Sequence, residues 1–126
     1  MGPKDDARVL VDEIVAAYNS HDADALMALY QPDIKYWSAL DGLQEGIDAV
    51  RAHLDHLHET LPDEQMQAQT VITDGELIVV EFRSTGTNPA GNPYAIEFTE
   101  VFELRDDKVA SIKVYLDPEE VARAMS

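Results

Sequence analysis

The residues best placed to do chemistry lie in one run, Glu97-Phe98-Thr99-Glu100-Val101-Phe102-Glu103-Leu104. In a strand, side chains alternate between two faces. Phe98, Glu100, Phe102 and Leu104 then share one face, which Ile96 and Tyr94 extend upstream, while Glu97, Thr99, Val101 and Glu103 share the other. Glu100 is therefore a carboxyl among aromatic rings. Where water is scarce a carboxylate is disfavoured and the pKa rises. Such a group can act as a general base, or as a neutral acid that donates a hydrogen bond. The other reading is structural, with Glu100 pairing with a helix-borne hydroxyl or histidine and only bracing the fold.

Several side chains can work with it. His53 flanks the apolar stripe of a helix, where it can share or shuttle a proton or can stand half in solvent. His56 is expected on the exposed face and His58 on the other flank. The run His53-Leu54-Asp55-His56-Leu57-His58 has no pair of histidines at i, i+4, so no metal site is expected. Tyr18, Tyr30 and Tyr36 fall on or near inward stripes and either line a pocket or brace the core, Tyr30 and Tyr36 being the stronger pocket candidates. Ser38 shares a strand face with Tyr36 and can position a substrate, but no adjacent base marks it as a nucleophile. Met66, Phe82, Phe98, Phe102 and Val114 join Ile78, Val80, Ile112 and Leu116 as apolar wall or core. That wall suits a hydrophobic ligand of polycyclic or terpenoid character.

These residues must be positioned by elements the periodicity predicts. A helix runs from Ala7 to Asn19, with Ala7, Leu10, Val11, Ile14, Val15 and Tyr18 on one stripe. Asp22 caps a second helix from Ala23 to Tyr30, which Pro32 ends. A short strand spans Ile34 to Ser38, and Gly42 to Gly46 is a loop. A third helix runs from Ile47 to Thr60. The period then changes to two. Strands are expected from Gln65 to Thr73, Leu77 to Thr85, Tyr94 to Arg105 and Val109 to Leu116, with turns at Asp74-Gly75 and Asp106-Asp107 and a loop from Asn88 to Pro93. Asp117-Pro118 opens a short C-terminal helix, with Glu120 completing a capping box. Helices followed by an antiparallel meander make an α+β fold.

Four segments carry a resemblance. Tyr18-Asn19-Ser20-His21-Asp22-Ala23-Asp24-Ala25-Leu26, with Ala28-Leu29-Tyr30-Gln31-Pro32-Asp33, is similar to the two-helix opening of the SnoaL-like and ketosteroid-isomerase-like branch of the nuclear transport factor two superfamily. Gly46-Ile47-Asp48-Ala49-Val50 and Phe102-Glu103-Leu104-Arg105-Asp106-Asp107-Lys108-Val109 continue it, so nearly the whole chain, residues 1–126, resembles one such domain. The resemblance implies a cone in which a curved antiparallel sheet packs against three N-terminal helices around a central cavity. His53 would point into that cavity. The implied activity is cofactor-free proton transfer (isomerisation, cyclisation or dehydration) on an apolar carbonyl-type substrate. Glu100 and His53 would be the catalytic pair, with Tyr18, Tyr30, Tyr36, Ser38, Met66, Phe82, Phe98, Phe102 and Val114 around the ligand. The alternative is a non-catalytic ligand-binding or dimerisation module, since one fold hosts many functions. The relatives' constellations are broken: the isomerase tyrosine and aspartate fall at Ile14 and Ser38, and the cyclase aspartate falls at Val114. The epoxide hydrolase arginine and its two aspartates fall at Phe98, Glu100 and Val114. The position of the second isomerase oxyanion donor falls at Glu100, which keeps its carboxyl. The family also implies a homodimer through the outer sheet face, where Arg83, Lys113 and Tyr115 are expected.

Composition sets outer limits. The chain has 126 residues, of which 45% are hydrophobic, which suits one domain with a modest core. Net charge is −16, which repels phosphate backbones and anionic lipid, so neither nucleic acid nor membrane is an expected partner. No cysteine is present, and Met1–Asp6 lacks a signal-peptide core, so a cytoplasmic location is expected.

Overall fold

The stripe from Ala7 to Tyr18 forms one face of α1, Pro3–Asn19, in a computed structural model that describes residues 3–126. Ala7, Val11, Ile14, Ala17 and Tyr18 are buried along it. The helix α2, Ala23–Met27, follows, with the Asp22 carboxylate accepting the Ala25 N–H at 3.1 Å. A cap of this kind contributes about 1 kcal/mol.

The predicted second helix is too long. Tyr30 does not end it but opens the strand β1, Tyr30–Ser38. The reason is tertiary, because this segment pairs in parallel with the last strand of the sheet, Tyr30 opposite Val109 and Ser38 opposite Val114. Pro32 sits where that register slips, between Tyr30 and Lys35, so its missing N–H breaks no regular ladder. The segment expected as a loop is also a strand. Here β2, Gly42–Glu45, folds back on β1 with Ser38 opposite Gly42. Glycine is required at Gly42, whose φ is +77°.

The helix α3, Ile47–Thr60, buries Val50 and Leu54. Its start is held to β1 by Gly46, whose N–H donates to the Ile34 carbonyl at 2.8 Å. The strands β3 (Gln65–Asp74), β4 (Leu77–Thr87), β5 (Pro93–Arg105) and β6 (Lys108–Tyr115) come next. They form the expected antiparallel meander. Asp106 and Asp107 both have positive φ, as a two-residue hairpin between paired Arg105 and Lys108 demands. The sheet order is β2-β1-β6-β5-β4-β3. It is therefore antiparallel except where β1 meets β6. The sheet is curved and unclosed, with the three N-terminal helices over its concave face. α4, Pro118–Ala124, is capped by Asp117 and closes the chain. Among the described residues no helix is long and apolar enough to cross a membrane.

Candidate active site

The concave face and the helices enclose a cavity of about 500 Å³. Glu100 stands on its wall, between Val80 of β4 and Val114 of β6. It is 8% exposed. Burial pushes its pKa up to about 8, and the neighbouring charge of Glu64 adds to the rise. No group among the described residues hydrogen-bonds its carboxyl, so nothing holds the anion in place of water.

Two tyrosines of β1 face the same space. Tyr30 and Tyr36 line the cavity, and burial, with the nearby Glu100, holds their hydroxyls protonated far above the ordinary tyrosine range. They are donors, not bases. Period-two spacing on β1 also turns Ser38 inward, but its Oγ accepts the N–H groups of Leu40 and Asp41 at 3.0 and 3.2 Å. Ser38 thus shapes the β1–β2 turn while bordering the cavity.

His53 projects from α3 into the cavity, its ring tilted against Tyr36 at 5.2 Å. Its Nε2 lies 3.7 Å from Asp41 Oδ2. Burial lowers its pKa, and the pull of Asp41 only partly offsets this. His56, expected on the solvent face, is exposed but also borders the cavity. His58 does not join them. It stacks on His21 at 4.0 Å, and its Nε2 is buried without a hydrogen-bond partner. Among the described residues no three His, Asp or Glu side chains gather as a metal site would need.

Met66, Phe82, Phe98 and Val114 line the cavity, as does Tyr18. Phe102, assigned to the ligand wall from strand parity, does not. It is 1% exposed and packs behind the wall against Phe82, with ring centroids 6.5 Å apart. Parity sets the face of a strand, but not how deep under the helices a position lies. Phe102 falls within the apolar core, with Ile78 and Ile112 opposite it on the neighbouring strands.

Sequence reasoning missed Glu64. It is buried on the cavity wall, its Oε1 accepting the Tyr18 hydroxyl and its Oε2 the Ser84 hydroxyl, both at 2.5 Å. Ser84 Oγ also lies 3.1 Å from Tyr94 Oη. The signal was present, since Glu64 precedes Met66 by two and shares its inward parity. Asp41 is missed as well, because the β1–β2 hairpin that brings it to His53 lies where the sequence predicts a loop. Val121 and Met125 of α4 complete the rim.

A curved six-stranded sheet closed by three helices around such a cavity is the architecture of NTF2-like proteins. A profile of the SnoaL-like domain matches residues 11–112, and the chain belongs to that family. The fold superposes on an NTF2-like protein of unknown function from Burkholderia pseudomallei with TM-score 0.87 and 21% identity, over 96% of this chain and 98% of that one. A proposed SnoaL-like polyketide cyclase from Jannaschia sp. gives TM-score 0.88 and 20% identity, over 100% and 96%. A protein of ketosteroid isomerase-like fold from Catenulispora acidiphila, in complex with trimethylamine, gives TM-score 0.82 and 17% identity, over 92% and 91%. At these identities the likeness establishes the fold and leaves the chemistry to the site. No curated protein matches the chain.

Proposed function

We propose that this protein is a small-molecule enzyme of the SnoaL-like, ketosteroid-isomerase-like type. It performs cofactor-free proton transfer on an apolar carbonyl-type compound held in the central cavity. The observation that carries the reading is Glu100, a buried carboxyl on the cavity wall without a protein hydrogen-bond partner and with a pKa of about 8. A carboxyl poised near neutrality can take a proton from carbon and return it to a neighbouring atom, because transfer is most effective when the pKa lies near the working pH. Tyr30 and Tyr36 serve as donors to the substrate oxygen as it gains charge. His53, oriented by Asp41, is the second proton carrier, at the cavity wall. A neighbour of this fold is in complex with trimethylamine, which supports the use of the fold for binding small organic molecules.

The runner-up is a binding or dimerisation module. It draws on Ile14 and Val114, apolar and buried where relatives carry catalytic side chains, and on Ser38, whose oxygen is engaged by a turn. For the same reason steroid isomerisation is expected to be very weak. One lost oxyanion donor alone costs about 2.7–4 kcal/mol of transition-state stabilisation.

Deuterium exchange separates the two readings. Apolar cyclic ketones such as 2-tetralone and cyclohex-2-enone are incubated in D₂O, and loss of the α-proton is followed by NMR. Acceleration by the protein, lost in Glu100→Gln, is the expected result. Ketones that bind and exchange no faster than in buffer would move the assignment to the binding module.

A further inference from the structure

The cavity lining carries carboxyl groups and, among the described residues, no fixed positive charge to oppose them. Asp41, Glu64 and Glu100 border it, and among the described residues no lysine or arginine does. Its basic side chains are His53 and His56, and burial lowers the pKa of His53, favouring the neutral ring. Both oxygens of Glu64 are already accepting, from Tyr18 and Ser84. Glu100 is more than nine-tenths buried and faces the cavity without a partner. The groups that face it are Tyr18 from α1, Tyr30 and Tyr36 from β1 and Glu64 ahead of β3, while its neighbours across the sheet are Val80 and Val114.

We infer that the ligand carries a basic nitrogen and binds as a monocation, its charge set against the Glu100 and Glu64 carboxyls. An anion would meet carboxyl groups with no cation to receive it. A tertiary or quaternary ammonium is weakly hydrated, so it enters an apolar cavity at little cost, and tyrosine rings attract it through their faces. The protein's net charge of −16 draws cations toward it from solution.

This inference rests on the reading of the cavity as a ligand site and makes that reading more specific. To act as a base at neutral pH, Glu100 must be ionised, yet burial keeps it mostly protonated. A bound cation supplies the opposing charge that burial removed. Glu100 then releases its proton to solvent, and the fraction competent as a base rises above the minor one that serves a neutral ketone.

The test compares benzyltrimethylammonium with its neutral isostere neopentylbenzene, and with 2-tetralone, by ligand-detected NMR on the full chain. The cation has no titrating group, so its pH dependence reports the protein. Affinity for the cation should exceed that for the isostere by about tenfold or more at pH 9, and should fall about tenfold per pH unit below 8 as the competent, ionised fraction shrinks. The isostere should show no such slope. Glu100→Gln, checked for folding by its thermal melt, should remove the pH slope and most of the cation's advantage, leaving what Glu64 supplies, and the wild-type pH series reads the slope without any variant. If the isostere or 2-tetralone binds as tightly as the cation at every pH, the inference is overturned and the ligand site stands. If none of the three binds, both fall.

Discussion

A carboxyl held neutral by its surroundings leaves a trace in stability, and for Glu100 the sign can be worked out. Its pKa in the folded chain, about 8, lies above the ordinary 4.5, so folding favours the protonated form. Its contribution is fully present below 4.5 and is lost as pH rises through 8, since the unfolded chain has released its proton over that window. The slope is about 1.4 kcal/mol per pH unit. Glu100→Gln removes the titration. The variant should match or exceed the wild type near pH 8, and the gap between them should narrow toward pH 5. Urea midpoints at three pH values in that window read this directly. Parallel curves with the variant lower throughout would mean that Glu100 is a structural residue.

At the scale of elements, the approach to the cavity depends on how the segment before β3 is clamped to β4 and β5. Asp63 accepts from both the backbone N–H and the hydroxyl of Thr87, at 2.9 and 2.7 Å. Glu64 links α1 to β4 through Tyr18 and Ser84. Tyr18→Phe leaves one oxygen of a buried carboxyl without its donor, and should cost about 1–3 kcal/mol. Combined with Ser84→Ala, the loss should be non-additive, because both hydroxyls serve one carboxylate. Gly86 permits the close approach. A Cβ there would lie 2.9 Å from Asp63 Oδ1, 3.1 Å from Tyr94 Cε1 and 3.3 Å from the Glu64 Cα. The last is backbone and cannot swing aside, so Gly86→Ala should cost about 1–3 kcal/mol by overpacking. Denaturation of each variant measures these losses, and a neutral Gly86→Ala would show that the clamp is slack.

For the whole molecule, the outer sheet face bears on assembly. Trp37 and Tyr115 pack together there with centroids 5.5 Å apart, and Tyr115 is 48% exposed. A sheet covered by helices on one side leaves its other side to water or to a partner. We propose a homodimer through this face, at twice the chain's 14.0 kDa. Each copy carries −16, so the halves repel and association should tighten as salt rises. Sedimentation at micromolar concentration in low and high salt tests this. Tyr115→Glu should shift the mass toward the monomer while leaving the melting temperature of the fold nearly unchanged. A monomer at every salt concentration would refute the proposal.

Local rules were enough for much of this architecture. The stripe from Ala7 to Tyr18 and the alternation from Tyr94 to Leu104 report burial at helix and strand periods, and both survive in the fold because each element hides one face. Asp22 and Asp117 acted as caps within their own segments, and the inward position of Glu100 followed from its parity with Phe98. Other features needed partners far along the chain. Tyr30 left the helix because β6 offered a parallel ladder, and Gly42–Glu45 became a strand because β1 lay beside it. Depth under the helices, which parity does not encode, moved Phe102 into the core. Glu64 and Asp41 entered the site through hydroxyls and a histidine from other elements, Tyr18 and Ser84 for the first and His53 for the second. The sequence alone determined which residues face inward, since burial along one element is a local pattern. Which inward residues meet around one cavity was decided by tertiary structure, because that depends on strand order and helix placement summed over the whole chain.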